Sequence, residues 1–263
     1  MIHDSIHILY EDESVLVVNK PAGLVVHAAI APHGGVRPTH RGNDVSRDER
    51  TTEPTLVDWL LAKYPHIKDV GDTSKLQPTT YNLSPILRSG IVHRLDRETS
   101  GVMVVAKTQA AFDFLKKQFQ GRSVEKVYHA IVYGVVKKDE GVIRRAIGKS
   151  PSDFRRRSAT RGARGTMREA VTEYKVLKRG REHTLLEVRP KTGRTHQIRV
   201  HLLAINHPVL ADSLYAPRRP KALGMERTAL HAKRLSLTLP SGQPLSVEAP
   251  YTEDFERAVA MIS

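Results

Sequence analysis

Asp96 stands between Arg94 and Arg97 in the stretch Ile91-Val92-His93-Arg94-Leu95-Asp96-Arg97-Glu98-Thr99-Ser100-Gly101, which runs into the apolar segment 102–106. A carboxylate in a polar turn that leads into a buried strand sits on a rigid platform, where it can attack an electrophilic carbon or take a proton. The simpler alternative is that Asp96 caps a turn and pairs with one of the flanking arginines. A second segment, Lys191-Thr192-Gly193-Arg194-Thr195-His196-Gln197-Ile198-Arg199, is dense in hydrogen-bond donors where a strand is predicted to meet a helix. Such a setting suits a phosphate or a carboxylate. If Arg199 faces Asp96, it would hold and orient that carboxylate.

Other chemistries fail on spacing or composition. Gly148-Lys149-Ser150 looks like the end of a phosphate-binding loop, but six residues separate Gly148 from Gly141 where that loop needs four. Ser123-Val124-Glu125-Lys126 and Lys191-Thr192-Gly193 imitate two boxes of penicillin-recognising enzymes; the Ser-Asp-Asn box is missing, and Ser123 precedes a strand, not a helix. Thirteen histidines invite a metal, yet no His-Glu-x-x-His pattern occurs, and His196 and His201 are five apart, on different faces of a helix. His196 is therefore expected to be a hydrogen-bonding residue and not a ligand. The absence of cysteine removes disulfides, thiolate metal sites and thiol nucleophiles. No metal is expected.

The elements that must position these groups can be read from periodicity. Segments 7–10 and 14–19 are predicted strands around the acidic turn Glu11-Asp12-Glu13, and 24–27 resumes an extended path. Segment 32–54 is nearly devoid of apolar residues and is expected to be a mobile insertion. Thr55 caps a predicted helix to Tyr64, and 70–87 is irregular. A helix capped by Thr108 is expected to end at Gly121, with Phe112, Leu115 and Phe119 on its core face. Strands are predicted over 124–136, 171–177, 184–189, 228–239 and 245–247, and helices over 195–203 and 252–261, with Ile198, Leu202 and Leu203 sharing one face. Strands outnumber helices without alternating with them, so the fold class is α+β, a largely antiparallel mixed sheet with flanking helices and loops. No repeat or linker divides the chain.

Lys plus Arg number 42 against 28 acids, a formal charge of +14, which favours a polyanionic partner, nucleic acid first. Segment 144–168 holds nine basic residues and one acid, Asp153, and reads as a basic loop or hairpin tracking phosphates through Arg155, Arg156, Arg157, Arg161 and Arg164. Neither a signal peptide nor a membrane-length apolar run is present, so a soluble cytoplasmic protein is expected.

The motifs together resemble the RluA family of pseudouridine synthases. His93 to Gly101 looks like the family signature; Asn19-Lys20-Pro21-Ala22-Gly23 is similar to its N-terminal turn, Lys126-Val127-Tyr128-His129-Ala130 to its Lys-x-Tyr-x-Ala motif, and 190–201 to its Thr-Gly-Arg-x-His-Gln-Ile/Leu-Arg motif. Leu230-His231-Ala232 matches a later one. The resemblance implies an enzyme that isomerises uridines in ribosomal or transfer RNA without cofactor or metal, acting as a monomer. It implies that Asp96 is catalytic, with Tyr128 the active-site tyrosine and Arg199 the partner of the aspartate. Ile198 would lie beneath the base, and His93, Arg94, Arg97 and Arg194 would help bind the substrate. Family members often carry an S4-type RNA-binding domain ahead of the catalytic one; here the catalytic pattern begins almost at Met1, so 1–263 is expected to be one catalytic domain. The family's Gly-Asp after its His-Pro turn reads Ala211-Asp212, a departure expected to alter the turn and no catalytic position. The rival readings are a non-catalytic RNA-binding or ribosome-associated factor with the same fold, and a glycosylase that uses Asp96 to release uracil.

Overall fold

The computed structural model describes residues 5–27, 53–72, 89–160 and 162–263. The expected insertion over 32–54 lies outside the described residues except at its last two positions, and so does most of 70–87. Strands β1 (His7–Glu11) and β2 (Val15–Lys20) form a hairpin whose turn is closed by Asp12, which accepts the N–H groups of Ser14 and Val15. Segment 24–27 joins no strand; the Val25 and Val26 carbonyls instead accept the N–H groups of Leu56 and Val57 at the start of α1 (Leu56–Lys63). That helix opens on a capping box, Thr55 with Asp58, as local chemistry dictates. Strand β3 (Ser100–Ala106) is buried throughout, and α2 (Gln109–Gly121) follows from its Thr108 cap.

The chain then continues through β4 (Glu125–Tyr133), β5 (Glu140–Arg144), β6 (Ile147–Lys149), β7 (Arg157–Ser158), β8 (Arg164–Arg168), β9 (Val171–Arg179) and β10 (His183–Pro190). Helix α3 (Gln197–Ala204), β11 (Leu230–Thr238), β12 (Pro244–Glu248) and α4 (Glu253–Ala260) complete it. Among the described residues nine strands form one sheet in the order β1-β2-β3-β11-β4-β10-β9-β5, with β12 pairing the far half of β11. Of these pairings, that of β11 with β3 is parallel and the others are antiparallel. The α+β, largely antiparallel class is therefore what the chain adopts.

Strand β11 enters between β3 and β4 from far along the chain and brings the central motif and the Lys-x-Tyr motif together in the middle of a shared sheet. Its approach to β3 needs a glycine. Gly101 has φ +113, and a Cβ there would sit 2.2 Å from the Ala232 carbonyl oxygen. One apolar core packs β1 to β3 with α1 and α2; another packs β4 and β10 with α3, α4 and residues 209–211. Tyr128 touches both.

Three expectations need correction. Gly121 does not end α2: it is the last helical residue, and Arg122 takes the left-handed cap. Leu203 does not share the buried face of Ile198 and Leu202 but is exposed, because α3 turns it outward. The basic segment is more than a hairpin, since β7-β6-β8 form a separate three-stranded sheet. No helix among the described residues is long and apolar enough to cross a membrane.

Candidate active site

Asp96 lies in the loop just before β3, and both flanks of that loop are pinned. On one side Lys20, wholly buried at the end of β2, donates to the carbonyls of Pro21 (2.8 Å), Leu24 (2.9 Å) and Arg97 (3.1 Å). Burial pulls its pKa down to about 7; the charge of Arg227 adds to the fall and that of Asp96 opposes it. On the other side Glu98 accepts the Thr228 N–H at 3.1 Å, and Arg227 donates to the Glu98 carbonyl at 3.0 Å. The Thr99 N–H closes the turn onto the Asp96 carbonyl at 3.1 Å. The backbone is thus fixed from three directions while the Asp96 carboxylate stays open to a cleft, with 24% of its side chain exposed.

Arg199 reaches that carboxylate from α3, placing Nη1 3.1 Å from Asp96 Oδ2. Its remaining donors go to Asp212, which is fully buried: Nε lies 2.6 Å from Oδ2 and Nη2 2.8 Å from Oδ1. Burial by itself would lower the Arg199 pKa, but Asp212 first and Asp96 second outweigh it, and the net shift is upward. Asp212 is held in turn by the N–H groups of Leu214 (3.0 Å) and Tyr215 (2.9 Å). The turn that presents it has Ala211 at φ 55, a left-handed conformation that glycine adopts more easily. The Gly-to-Ala departure therefore keeps the turn at a cost in strain. Asp212 itself, which in the sequence is no more than part of a turn, anchors the arginine that holds Asp96.

The start of α3 is built by Gln197. Its Oε1 accepts the Thr192 hydroxyl at 2.7 Å and the Arg194 N–H at 3.0 Å, while its Nε2 donates to the Val171 carbonyl at 3.0 Å. His196 sits at the cap with φ 55, its Nε2 3.8 Å from Asp96 Oδ1 and its Nδ1 2.9 Å from the Tyr215 hydroxyl. Burial lowers its pKa against the opposing pull of Asp96.

The cleft has a volume of about 910 Å3, and Asp96, Arg199, Tyr128, Ile198, His93, Arg94 and Arg194 all line it. Tyr128 presents a hydroxyl with no hydrogen bond among the described residues; burial, reinforced by Asp96, raises its pKa, so the phenol stays protonated. His93 is set into the wall, its ring stacked on Phe119 at 4.6 Å and its Nε2 accepting the Val104 N–H at 3.0 Å. Arg97 does not line the cleft: it donates to the Gly23 carbonyl at 3.1 Å and pairs with Glu53 at 2.9 Å. On the small sheet, Arg155 and Arg156 share Asp153, the one acid of the basic segment. Arg157 lies close enough to His196 for its charge to depress that pKa. Arg164 is exposed on β8, and Arg161 lies outside the described residues. No group of three or more metal-ligating side chains occurs among the described residues.

The sequence profile described as RNA pseudouridylate synthase matches residues 14–204. A Neisseria meningitidis serogroup B protein named ribosomal large subunit pseudouridine synthase D is 41% identical over 98% of this chain and 61% of its own length. A Bacillus subtilis protein described as an uncharacterized RNA pseudouridine synthase is 36% identical over 96% of this chain and 71% of its own. The chain therefore spans about three fifths of the Neisseria relative, 61%. Among solved structures, human RNA pseudouridylate synthase domain containing 1 shares the fold, with a TM-score of 0.69 over 97% of this chain and 88% of that one at 23% identity. Its human relative, domain containing 4, gives a TM-score of 0.67 over 96% and 91% at 27% identity.

Proposed function

The chain belongs to the RNA pseudouridylate synthase family, and from that premise we propose that it isomerises selected uridines of structured RNA to pseudouridine, with Asp96 as the catalytic carboxylate. The reaction breaks the C1′–N1 bond, turns the uracil, forms a C1′–C5 bond and moves the C5 proton to solvent while N1 gains one. Atoms and electrons balance within the nucleotide, so no cofactor or metal is called for. Whether the carboxylate attacks C1′ or removes the C2′ proton, it must be held beside the sugar. The target base must leave its stack to reach the cleft floor. There Ile198 offers an apolar surface, Tyr128 a ring to stack on and a protonated hydroxyl able to relay the C5 proton. Arg94 and Arg194 stand at the cleft wall to meet phosphate or ribose.

The observation that carries this reading is the chain of contacts Asp96–Arg199–Asp212, in which an accessible carboxylate is oriented by an arginine that is itself clamped by a buried one. The names of the relatives favour large-subunit ribosomal RNA over transfer RNA as the substrate class. In this reading residues 1–263 work as one catalytic unit, monomeric and cytoplasmic, with Arg155, Arg156, Arg157, Arg161 and Arg164 along the RNA path and Arg97 bracing the catalytic loop from outside the cleft. The test is product analysis. Unmodified large-subunit transcripts incubated with the protein, digested to nucleosides and separated should contain pseudouridine and no free uracil. Free uracil would favour the glycosylase reading, and unchanged uridine the non-catalytic one.

A further inference from the structure

Helix α2 ends against the favourable order of residues. Gly121 is helical, although a Cβ there would meet nothing within 4 Å, and Arg122 after it adopts φ 61, the conformation usually left to glycine. Exchanging the two would relieve both penalties. An arginine kept where the backbone resists it, with its side chain lining the cleft, suggests that the side chain is needed there.

Lys126 adds an independent observation. It lies on β4 on the same face as Tyr128 by strand alternation, and both line the cleft. Neither Arg122 nor Lys126 has a side-chain hydrogen bond or ion pair among the described residues. Nearby carboxylates are committed elsewhere: Asp72 pairs with Lys116 at 2.9 Å, and Glu125, on the opposite face of β4, lies 3.6 Å from Arg234 and 3.8 Å from Arg189. Burial pulls the Lys126 pKa down, and the neighbouring Arg122 charge pulls it further. Lys126 is thus partly dehydrated beside the exposed Arg122 charge, with no counter-ion among the described residues, an arrangement that an incoming anion would relieve.

We propose that Arg122 and Lys126 form a phosphodiester-binding subsite at the junction of α2 and β4, gripping the RNA backbone beside the nucleotide that enters the cleft. The inference rests on the reading of the chain as an RNA-modifying enzyme and adds to it a site built by α2 and β4. The test is an anisotropy titration of a short fluorescein-labelled oligouridylate over a series of KCl concentrations. R122Q/K126Q should bind roughly tenfold more weakly at low salt, with the slope of log affinity against log salt shallower by about 0.7 for each phosphate no longer neutralised. R122G separates binding from folding: it should melt about 2–4 °C higher, because glycine suits the cap, and still bind more weakly. A salt slope in R122Q/K126Q equal to that of the wild type, or R122G binding as the wild type does, overturns the subsite and leaves the isomerase reading standing. A wild-type protein with no affinity for the oligouridylate overturns both.

Discussion

Replacing Asp212 by Asn removes a charge and little else from the fold, and so isolates what the buried carboxylate does. Oδ1 serves three donors, Arg199 Nη2 at 2.8 Å and the N–H groups of Leu214 at 3.0 Å and Tyr215 at 2.9 Å. The asparagine oxygen would take that place, which turns its NH2 toward Arg199 Nε, where Oδ2 now lies at 2.6 Å. Two donors then face each other, and a guanidinium with 9% of its side chain exposed keeps only the partly solvated Asp96 as counter-ion. Breaking a buried pair from one side costs about 3–5 kcal/mol, which a domain with a total of roughly 5–15 kcal/mol can survive. Arg199 gives up its fixed geometry, and Asp96 loses a charge-assisted hydrogen bond of about 1.5–3 kcal/mol. That corresponds to a fall in turnover of roughly 10- to 150-fold. Urea unfolding gives the first quantity; tritium release from C5-tritiated RNA, in the cold and without denaturant where the variant is folded, gives the second. A D212N protein that loses stability but turns over at the wild-type rate would refute the positioning role. One that loses neither would refute the clamp.

Other outcomes follow from single contacts. His93, His129 and His231 are held neutral by burial, with pKa values lowered from 6.5 to about 3, about 4 and about 4. The unfolded chain therefore binds their protons first, so their contribution is complete above pH 6.5 and is lost as pH falls toward 4, by about 1.4 kcal/mol per unit for each. Urea midpoints measured from pH 7 to 5 should drop steadily, and a flat profile would contradict the neutral assignment; His93 Nε2, which accepts the Val104 N–H, could not do so if protonated. Ala211→Gly should raise stability by about 1 kcal/mol by relieving the left-handed turn, which a rise in melting temperature would report. Tyr128→Phe removes a hydroxyl with no protein partner among the described residues, so stability should stay within about 1 kcal/mol while turnover falls at least tenfold. Equal activity would leave the ring as the only functional part of that residue.

Local chemistry is legible in the sequence. The Thr55 and Thr108 caps and the Asp12 turn each depend on neighbours a few residues away. The facing of Arg199 and Asp96 can be anticipated because both sit in dense polar motifs at element ends. Long-range choices are not legible. Nothing in 230–238 announces that this strand separates β3 from β4 and runs parallel to one of them, since a parallel partner leaves no mark on local periodicity. The burial of Lys20 is hidden because its acceptors are carbonyls, which carry no sequence signature. Asp212 is visible only as a turn residue, because its meaning depends on a guanidinium thirteen positions away. Arg97 shares a motif with Arg94, yet it is held by Gly23 and Glu53, and of the two only Arg94 lines the cleft.

In the proposed reaction the Asp96 carboxylate performs the chemistry in an RNA-binding cleft. Tritium release from a C5-tritiated large-subunit transcript, measured for the wild type and for D96N beside an RNA-binding titration of each, tests it most directly. The expected result is release by the wild type, none by D96N, and affinities for RNA within a few-fold of each other. Release by D96N at the wild-type rate, or no release by the wild type while it binds the same RNA, would contradict it.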